Sequence, residues 1–451
     1  MKTLIKNADI IATFDDHMRE IKGGWIYIEN NIIKDMGADF PPELEKDREI
    51  SGKGMVFLPG FVNTHHHFYQ SLFRAVPEVQ SAKLFDWLVF LYERWKNIDE
   101  EAVRISTSVA IMEMMKSGVT TTTDHMYLFP RGHEGLMDAQ IEAAKNTGVR
   151  FHATRGSMCL SKKDGGLPPD SVVQEEEVIL KDCERVIKKY HDPRPFAMTR
   201  VALAPCSPFS VTEQLMKDTV EMAEKYDVLL HTHLAETMDE DEFCLSMFNL
   251  RPVDYMEKVG WLNPRVWFAH MVYLSDDDIK RLSDARAGMA HCPTSNMRLG
   301  SGIAPVTNMK GTAIRIGLGV DGSASNDSGN FLLEVRNALL LQRVKYGSDA
   351  ITPREVLRMG TMGGAEVLRM DKEIGSIEKG KAADIIGFKM DRLEFAGGLL
   401  DPVGSLVLCD AKGVDFSMIN GEIVIEEGRF TKLDEKYYIN EQNKISKKLN
   451  S

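Results

Sequence analysis

Between residues 59 and 368, short apolar runs alternate with helix-like stretches, and this alternation limits the fold more than any other feature of the chain. Apolar runs such as 201–204 and 228–230 are separated by segments with helical periodicity, such as 102–116 and 214–226. Strands that alternate with helices form βα units around a parallel sheet. Seven or eight such units predict an α/β fold, a (β/α)8 barrel of the TIM type.

Both ends of the chain differ from this middle segment, because they are rich in short strands. Turn residues between β-like runs, Glu29-Asn30 near one end and Asn420-Gly421 near the other, indicate hairpins. The economical arrangement is a small β-sandwich domain built from residues 1–58 and 369–451, beside a barrel of residues 59–368. We expect the polar, Lys- and Asn-rich end after Tyr438 to be disordered.

Composition excludes some classes of partner. The formal net charge of -12 argues against nucleic acid or an anionic membrane as the main partner. The six cysteines are scattered without a C-x-x-C pair, which argues against a disulfide framework. The first residues read as a strand rather than a secretory signal, and no apolar run is long enough to span a bilayer. We therefore expect a cytoplasmic protein.

Three adjacent histidines, His65, His66 and His67, follow the apolar residues 56–62. Side chains alternate along a strand, so His65 and His67 point the same way while His66 points away. Two imidazoles that converge at a strand end make half of a metal site. Surface or core histidines also explain such a run, so this pattern alone leaves both interpretations open.

Other apolar runs also end in ionisable residues. His233 follows one run and has Glu236 three residues beyond it, while His270, His291 and Asp321 end or follow three more. Metal hydrolases need one group to hold the metal and another to move protons. Barrel enzymes keep their chemistry at the C-terminal ends of the strands, where these side chains would meet. Together the strand ends predict one metal-dependent site at the mouth of the barrel.

These residues resemble a known family. Residues 59–67, with the sequence PGFVNTHHH, look like the amidohydrolase superfamily, as do His233 with Glu236, His270 and Asp321. The likeness covers nearly the whole chain and is closest to the branch that holds a single metal ion. The resemblance implies one zinc ion, or sometimes iron, bound by four side chains: His65, His67, His233 and Asp321.

Four finer stretches narrow the resemblance: 69–77, 164–173, 204–211 and 295–302. Together they look most like the 8-oxoguanine deaminases of this superfamily, which make urate and ammonia. Guanine deaminases and triazine hydrolases are near relatives of that group. One departure is Thr294, which stands where the pattern has a cysteine and leaves the exact ring open. The resemblance implies a small heterocyclic substrate and a homo-oligomer, dimeric or larger.

The resemblance also implies how the chemistry is divided among three residues. Asp321 would contact the metal and accept a proton from the attacking water, and His270 would hydrogen-bond and orient that water. Glu236 would protonate a ring nitrogen and so make the neighbouring carbon electrophilic. The amino group would then leave as ammonia.

Six residues are candidates for contacts with the substrate ring: Gln70, Trp87, His125, Arg155, His291 and Thr294. Gln70 lies three residues past His67, so its amide either reads a ring edge or only packs in a helix or loop. Trp87 stacks on the ring or only walls the pocket, and Arg155 would contact a carbonyl oxygen. His125 and His291 would line the mouth.

Two other readings stay open. A guanine deaminase, or an s-triazine or pterin amino- or chlorohydrolase, would use the same metal site on a different ring. A barrel that has lost catalysis would serve as a scaffold, although such relatives usually lack the metal ligands that are present here. A cytidine-deaminase type of zinc site is not supported, because its C-x-x-C pair is missing.

Overall fold

The computed structural model describes residues 1–39, 41 and 43–451. The N-terminal part forms strands that precede the barrel. They are β1 (Lys2–Ala12), β2 (Glu20–Glu29), β3 (Ile32–Gly37), β4 (Arg48–Ser51) and β5 (Met55–Pro59). The predicted hairpin joins β2 to β3, and Asn30 takes a left-handed φ of 55° in its turn.

The middle of the chain closes into a barrel of parallel strands, which confirms the predicted fold. Its strands are β6 (Phe61–Asn63), β7 (Val119–Thr123), β8 (Arg150–Ser157), β9 (Thr199–Pro205), β10 (Leu229–Leu234), β11 (Val266–His270), β12 (Gly288–His291) and β13 (Arg315–Leu318). The barrel closes where Leu318 of β13 pairs with Asn63 of β6. Parallel neighbours bring every C-terminal strand end to the same rim.

Helices follow the barrel strands and cover their outer face. They are α1 (Leu84–Trp95), α2 (Glu100–Lys116), α3 (Leu136–Thr147), α4 (Glu176–Tyr190), α5 (Glu213–Tyr226), α6 (Met238–Phe248), α7 (Pro252–Lys258), α8 (Asp276–Asp284), α9 (Pro293–Arg298), α10 (Phe331–Tyr346), α11 (Pro353–Arg358) and α12 (Gly364–Val367). The helices predicted over 102–116 and 214–226 are present as α2 and α5. Each begins at a capping side chain, Asp99 or Thr212, that accepts a main-chain N–H.

Strands return after the barrel and join those of the N-terminal part. They are β14 (Ile385–Lys389), β15 (Phe416–Ile419), β16 (Glu422–Glu426) and β17 (Arg429–Phe430). The β domain built from both ends is thus present. Within the described residues its strands form one connected sheet, in which β1 pairs with β4 near Ile5 and with β5 near Ile11. The boundary expected after residue 58 falls within β5, just before its last residue, Pro59, and stays a prediction.

The turn at Asn420 and Gly421 fixes the last hairpin. Both residues have left-handed φ angles, 49° and 81°, as a two-residue turn between β15 and β16 requires. A Cβ at Gly421 would overlap the carbonyl oxygen of Asn30, so glycine also lets this turn approach the first hairpin. Asn31 Nδ2 donates to Asn420 Oδ1 at 3.2 Å, and the two ends of the chain are joined there.

The expected disorder after Tyr438 was wrong. After α13 (Pro402–Leu408), the chain ends in helix α14 (Glu435–Leu449), whose Gln442 donates to Ser71 Oγ at 3.0 Å. Its apolar residues are spaced to bury one narrow face, at Ile445 and Leu449, while the rest of the helix stays polar. A search of the described helices finds none with the length and apolar character needed to cross a membrane.

Candidate active site

Three histidine rings and one carboxylate meet at the C-terminal rim of the barrel. His65 and His67 follow β6, His233 lies near the end of β10, and Asp321 lies three residues beyond β13. Asp321 Oδ1 is 3.3 Å from His65 Nε2 and 3.4 Å from His67 Nε2. His67 Nε2 is in turn 3.3 Å from His233 Nε2. The four predicted ligands therefore converge on one point.

Main-chain carbonyls fix the protonation of two of these rings. His67 Nδ1 lies 2.8 Å from the carbonyl oxygen of His125, and His233 Nδ1 lies 2.7 Å from that of Cys206. A carbonyl only accepts, so each Nδ1 carries the proton and each Nε2 presents a lone pair. Two lone pairs 3.3 Å apart repel each other unless a cation lies between them.

His65 reaches the same state through another histidine, His231. The Nδ1 of His231 donates to the carbonyl oxygen of Trp267 at 2.8 Å, which leaves its Nε2 as an acceptor. That Nε2 lies 2.8 Å from His65 Nδ1, so His65 also carries its proton on Nδ1. His65 Nε2 is buried and has no hydrogen-bond partner within the described chain. It is a third lone pair aimed at the same point.

This donor set fits a divalent metal ion. Three neutral imidazole nitrogens and one carboxylate are the ligands that zinc or iron takes in catalytic sites. Burial lowers the pKa of His67 and holds the pKa values of His65 and His233 well below the ordinary 6.5, so the rings are neutral. Asp321 completes the set with a carboxylate, whose Oδ1 lies 3.3 Å from His65 Nε2.

Glu236 and His270 form an acid–base pair beside this point. His270 Nε2 lies 3.5 Å from Glu236 Oε2 and 3.8 Å from Asp321 Oδ2. Burial raises the pKa of Glu236 to about 7. Burial opposes charge on His270, but the two carboxylates raise the pKa of its ring. A carboxyl group with a pKa near neutrality is able to carry a proton in either direction.

Two of these residues have a strained main chain. His270 has a φ of 73° and Asp321 a φ of 62°, in the left-handed region that residues with a Cβ disfavour. Such conformations cost about 1–3 kcal/mol each and persist only where the surroundings hold them. The side chains of these two residues approach each other, with His270 Nε2 3.8 Å from Asp321 Oδ2.

A narrow cavity opens onto Glu236 and onto three of the four predicted ligands, His67, His233 and Asp321. The two predicted contacts Gln70 and Trp87 line it, and the ring of Trp87 is held by a hydrogen bond from Nε1 to the carbonyl oxygen of Ala324 at 3.1 Å. A Cβ at Gly322 would overlap Gln70 Oε1, so glycine after Asp321 leaves room for that amide. Most of the other lining side chains are apolar or aromatic: Leu84, Leu88, Tyr92, Tyr127, Cys206, Phe209 and Leu299.

Comparison with known proteins decides the family. The amidohydrolase family model matches residues 56–424, which is most of the chain. The chain belongs to the amidohydrolase family. The matched segment contains all barrel strands and the histidine–aspartate site, and it extends into the β domain at both of its ends.

Characterised relatives of this amidohydrolase act on nitrogen heterocycles. The present chain is 46% identical to an 8-oxoguanine deaminase of Pseudomonas aeruginosa over 96% of each chain. It is 36% identical to a hydroxydechloroatrazine ethylaminohydrolase of Pseudomonas sp. (strain ADP), over 96% of this chain and 92% of that one. Among solved structures, atrazine chlorohydrolase of Arthrobacter aurescens TC1 in complex with zinc is 32% identical, with a TM-score of 0.94 and full coverage of both chains.

The structure does not bring Arg155 or Thr294 to the cavity of the amidohydrolase. Arg155 Nε donates to Asp182 Oδ2 at 2.6 Å and its guanidinium lies over the ring of Phe129, because alternation along β8 turns it toward the helix layer. Thr294 lies in α9, where its hydroxyl accepts from Asn337 Nδ2 at 2.7 Å.

The predicted histidines His125 and His291 are close to the site but do not line the cavity. His125 Nε2 lies 2.9 Å from the carbonyl oxygen of Ala204, and its ring stacks on His233 with centroids 4.7 Å apart. His291 is fully buried at the end of β12, and neither of its ring nitrogens has a partner among the described residues. His125 thus packs against the ring of a predicted ligand, and one of its ring nitrogens lies within 4.8 Å of ring nitrogens of His65, His67 and His233.

Three supporting residues were missed by the sequence reasoning. His231 orients His65, and its two-residue spacing from His233 on one strand was the signal that both rings face inward. His270 Nδ1 donates to Asn296 Oδ1 at 2.9 Å, and Ser325 Oγ donates to Asp321 Oδ2 at 3.2 Å. Neither Asn296 nor Ser325 lies at a strand end, so no spacing rule pointed to them.

Proposed function

We propose that this amidohydrolase removes the exocyclic amino group of a purine-like heterocycle by hydrolysis, and that its substrate is 8-oxoguanine. The observation that carries the proposal is the meeting of three imidazole lone pairs and the Asp321 carboxylate beside Glu236, whose pKa is about 7. In the reaction one carbon–nitrogen bond breaks and one carbon–oxygen bond forms. Substrate and water give urate and ammonia.

The metal ligands in this proposal are His65, His67, His233 and Asp321, and the ion is zinc, with iron as the alternative. A divalent ion in such a site lowers the pKa of a coordinated water to near 7 and so supplies a nucleophile at neutral pH. The similarity to a zinc-containing atrazine chlorohydrolase supports zinc.

The chain's own residues then handle the protons. Glu236, with a pKa near 7, donates a proton to the ring nitrogen beside the amino-bearing carbon and makes that carbon electrophilic. His270 holds the attacking water from its Nε2, while Asp321 Oδ2 accepts the proton that the water loses. Delivery of a proton from Asp321 or Glu236 to the amino nitrogen lets it leave as ammonia.

The ring itself is assigned by similarity and by the shape of the cavity. A relative with 46% identity is an 8-oxoguanine deaminase, and the cavity walls of Trp87, Tyr127 and Phe209 suit a flat ring. In the proposal the Gln70 amide hydrogen-bonds to the edge of the substrate ring. A single polar group in an apolar wall selects against rings that cannot form a hydrogen bond with it.

The test is ammonia release from purified, zinc-loaded protein. The panel contains 8-oxoguanine, guanine, isoxanthopterin and a hydroxylated ethylaminotriazine; urate formation is followed for the first and ethylamine release for the last. We expect kcat/KM to be highest for 8-oxoguanine. A Glu236→Gln variant should retain its metal and lose about 10²–10⁴-fold in rate.

The other rings remain candidates because relatives of 36% and 34% identity are named for a hydroxylated triazine and for isoxanthopterin. Faster turnover of either compound would move the assignment to that ring and leave the hydrolytic chemistry intact. A catalytically inactive scaffold would bind metal but release neither ammonia nor ethylamine from any of the four. A homo-oligomer and a cytoplasmic location stay predictions.

A further inference from the structure

A buried glutamate outside the cavity, Glu334, has no part in the chemistry proposed above. It lies in the first turns of α10 and is 0% exposed. Among the described residues its carboxylate oxygens accept hydrogen bonds from Thr294 N and Asn326 Nδ2, and no Lys or Arg side chain is paired with it. Burying such a group without compensation is costly, and its presence needs a reason.

One oxygen of Glu334 holds the loop that carries Asp321. Asn326 Nδ2 donates to Glu334 Oε1 at 2.7 Å and to the carbonyl oxygen of Val320 at 2.6 Å. Val320 directly precedes Asp321, and the same loop closes through a hydrogen bond from Asn326 N to the carbonyl oxygen of Gly322 at 2.9 Å. Asn326 therefore links Glu334 to the main chain directly before Asp321, at Val320, and directly after it, at Gly322.

The other oxygen of Glu334 holds the helix that supports His270. The main-chain N–H of Thr294, at the start of α9, donates to Glu334 Oε2 at 3.3 Å. Two residues further along α9, Asn296 accepts the hydrogen bond from His270 Nδ1. Glu334 thus bridges the loop after β12 and the loop after β13.

We propose that Glu334 is a positioning residue, which fixes Asp321 through Asn326 and His270 through α9 without touching the substrate. Both target residues have strained φ angles, 62° and 73°, and need surroundings that hold them. A shift of even 1 Å in a reacting group is able to cost about 10²-fold in rate. The catalytic part of this inference rests on the proposed hydrolysis, whereas its geometric part does not.

The same helix offers a matched control. Gln342 lies two turns beyond Glu334 on α10 and is also 0% exposed. Its Oε1 accepts from Thr307 N at 3.2 Å and its Nε2 donates to the carbonyl oxygen of Ala304 at 3.0 Å. Like Glu334 it is a buried polar side chain that uses both of its polar atoms, but it holds a single segment, residues 304–307, which carries no predicted ligand or acid–base residue.

The experiment compares Glu334→Met and Glu334→Gln with Gln342→Met in the zinc-loaded full chain. We expect Glu334→Met to lower kcat by about tenfold or more with little change in KM, since it misplaces groups that act in the transition state. Glu334→Gln keeps one acceptor and should lose less. Gln342→Met should lower the melting temperature and leave kcat within about twofold of wild type.

A second readout does not need turnover. The visible absorption spectrum of the cobalt-substituted protein reports ligand geometry, and we expect it to change in Glu334→Met and to match wild type in Gln342→Met. If wild type released no ammonia from any ring, the proposed function would fail while this spectrum still tested the positioning. An unchanged kcat and spectrum in Glu334→Met, or equal losses in the two Met variants, would overturn the inference. If Glu334→Met fails to fold, Glu334→Gln decides by the same two readouts.

Discussion

His65 Nδ1 lies 2.8 Å from His231 Nε2, and this contact sets the side of the His65 ring that carries its proton. His231 is itself fixed by its hydrogen bond to the main-chain carbonyl oxygen of Trp267. Its ring also stacks on the indole ring of Trp267. A residue that contacts no metal in the proposal therefore decides whether His65 is able to bind one.

Replacing His231 should weaken metal binding without removing a ligand. Phenylalanine keeps the stacking on Trp267 but loses the acceptor for His65 Nδ1, so we expect His231→Phe to lower metal affinity about 10–100-fold. The measurement is a competition titration against a chelator. The control is His152→Phe, because His152 is buried in the same barrel and has no hydrogen-bond partner among the described residues. Equal losses in both variants would mean that packing, not the tautomer, matters.

Gln70 should affect substrate selection. Its amide lines the cavity and its Oε1 has no partner within the described chain, so Gln70→Ala should reduce kcat/KM for 8-oxoguanine about tenfold. Gln174→Ala is the matched control, since that amide accepts from Arg155 Nη2 at 2.9 Å away from the cavity. A reduction of kcat/KM in Gln174→Ala but not in Gln70→Ala would indicate that the residues around Arg155 select the substrate, and would contradict the role proposed for Gln70.

The buried pair Arg150 and Asp384 joins the barrel to the β domain. Arg150 Nη2 and Nε lie 3.1 and 3.2 Å from the two carboxylate oxygens, and both side chains are almost fully buried. Asp384→Ala leaves Arg150 charged and without its partner, so we expect a loss of about 3–5 kcal/mol in the free energy of unfolding. Urea denaturation measures it. The double variant Arg150→Met/Asp384→Ala should recover much of the lost free energy of unfolding. A double variant whose loss equals the sum of the two single losses would refute the pairing.

Acid should weaken the contact between α3 and α4. Burial opposes charge on Asp138, but hydrogen bonds from Arg185, Lys189 and Tyr190 hold its pKa below the ordinary 3.8. A lowered pKa in the folded state adds stability above pH 4 that is lost as the pH falls toward the folded value. Asp138→Asn should therefore lower the urea midpoint at pH 7 and converge with wild type in acid. Asp349→Asn, at an exposed site, should track wild type throughout.

Much of the fold and of the metal site was predictable from strand ends. The alternation of apolar runs and helical stretches predicted the barrel, and strand parity placed His65 and His67 on one side. Arg155 shows where the same rule was not applied. Its neighbour Thr154 donates to the carbonyl oxygen of Asp124, just after β7, while Arg155 turns the other way to Asp182 of α4. Short-range spacing gives no information on contacts such as Asn296 with His270, which depend on tertiary packing.

The C-terminal helix shows a second limit of sequence reasoning. The residues after Tyr438 are so polar that composition favoured disorder, yet they belong to helix α14, and Ser446 Oγ donates to the carbonyl oxygen of Leu72 at 2.6 Å. Two apolar residues and a few hydrogen bonds anchor the helix to the segment after His67. The mean polarity of the C-terminal residues does not reveal a buried face that consists of only two apolar side chains.

The most direct test of the central claim is the product balance of zinc-loaded wild-type protein with 8-oxoguanine. The account predicts urate and ammonia in a one-to-one ratio, and loss of both in a Glu236→Gln variant that still holds its zinc. Zinc-loaded protein that released ammonia from none of the four rings, or a Glu236→Gln variant as active as wild type, would contradict it.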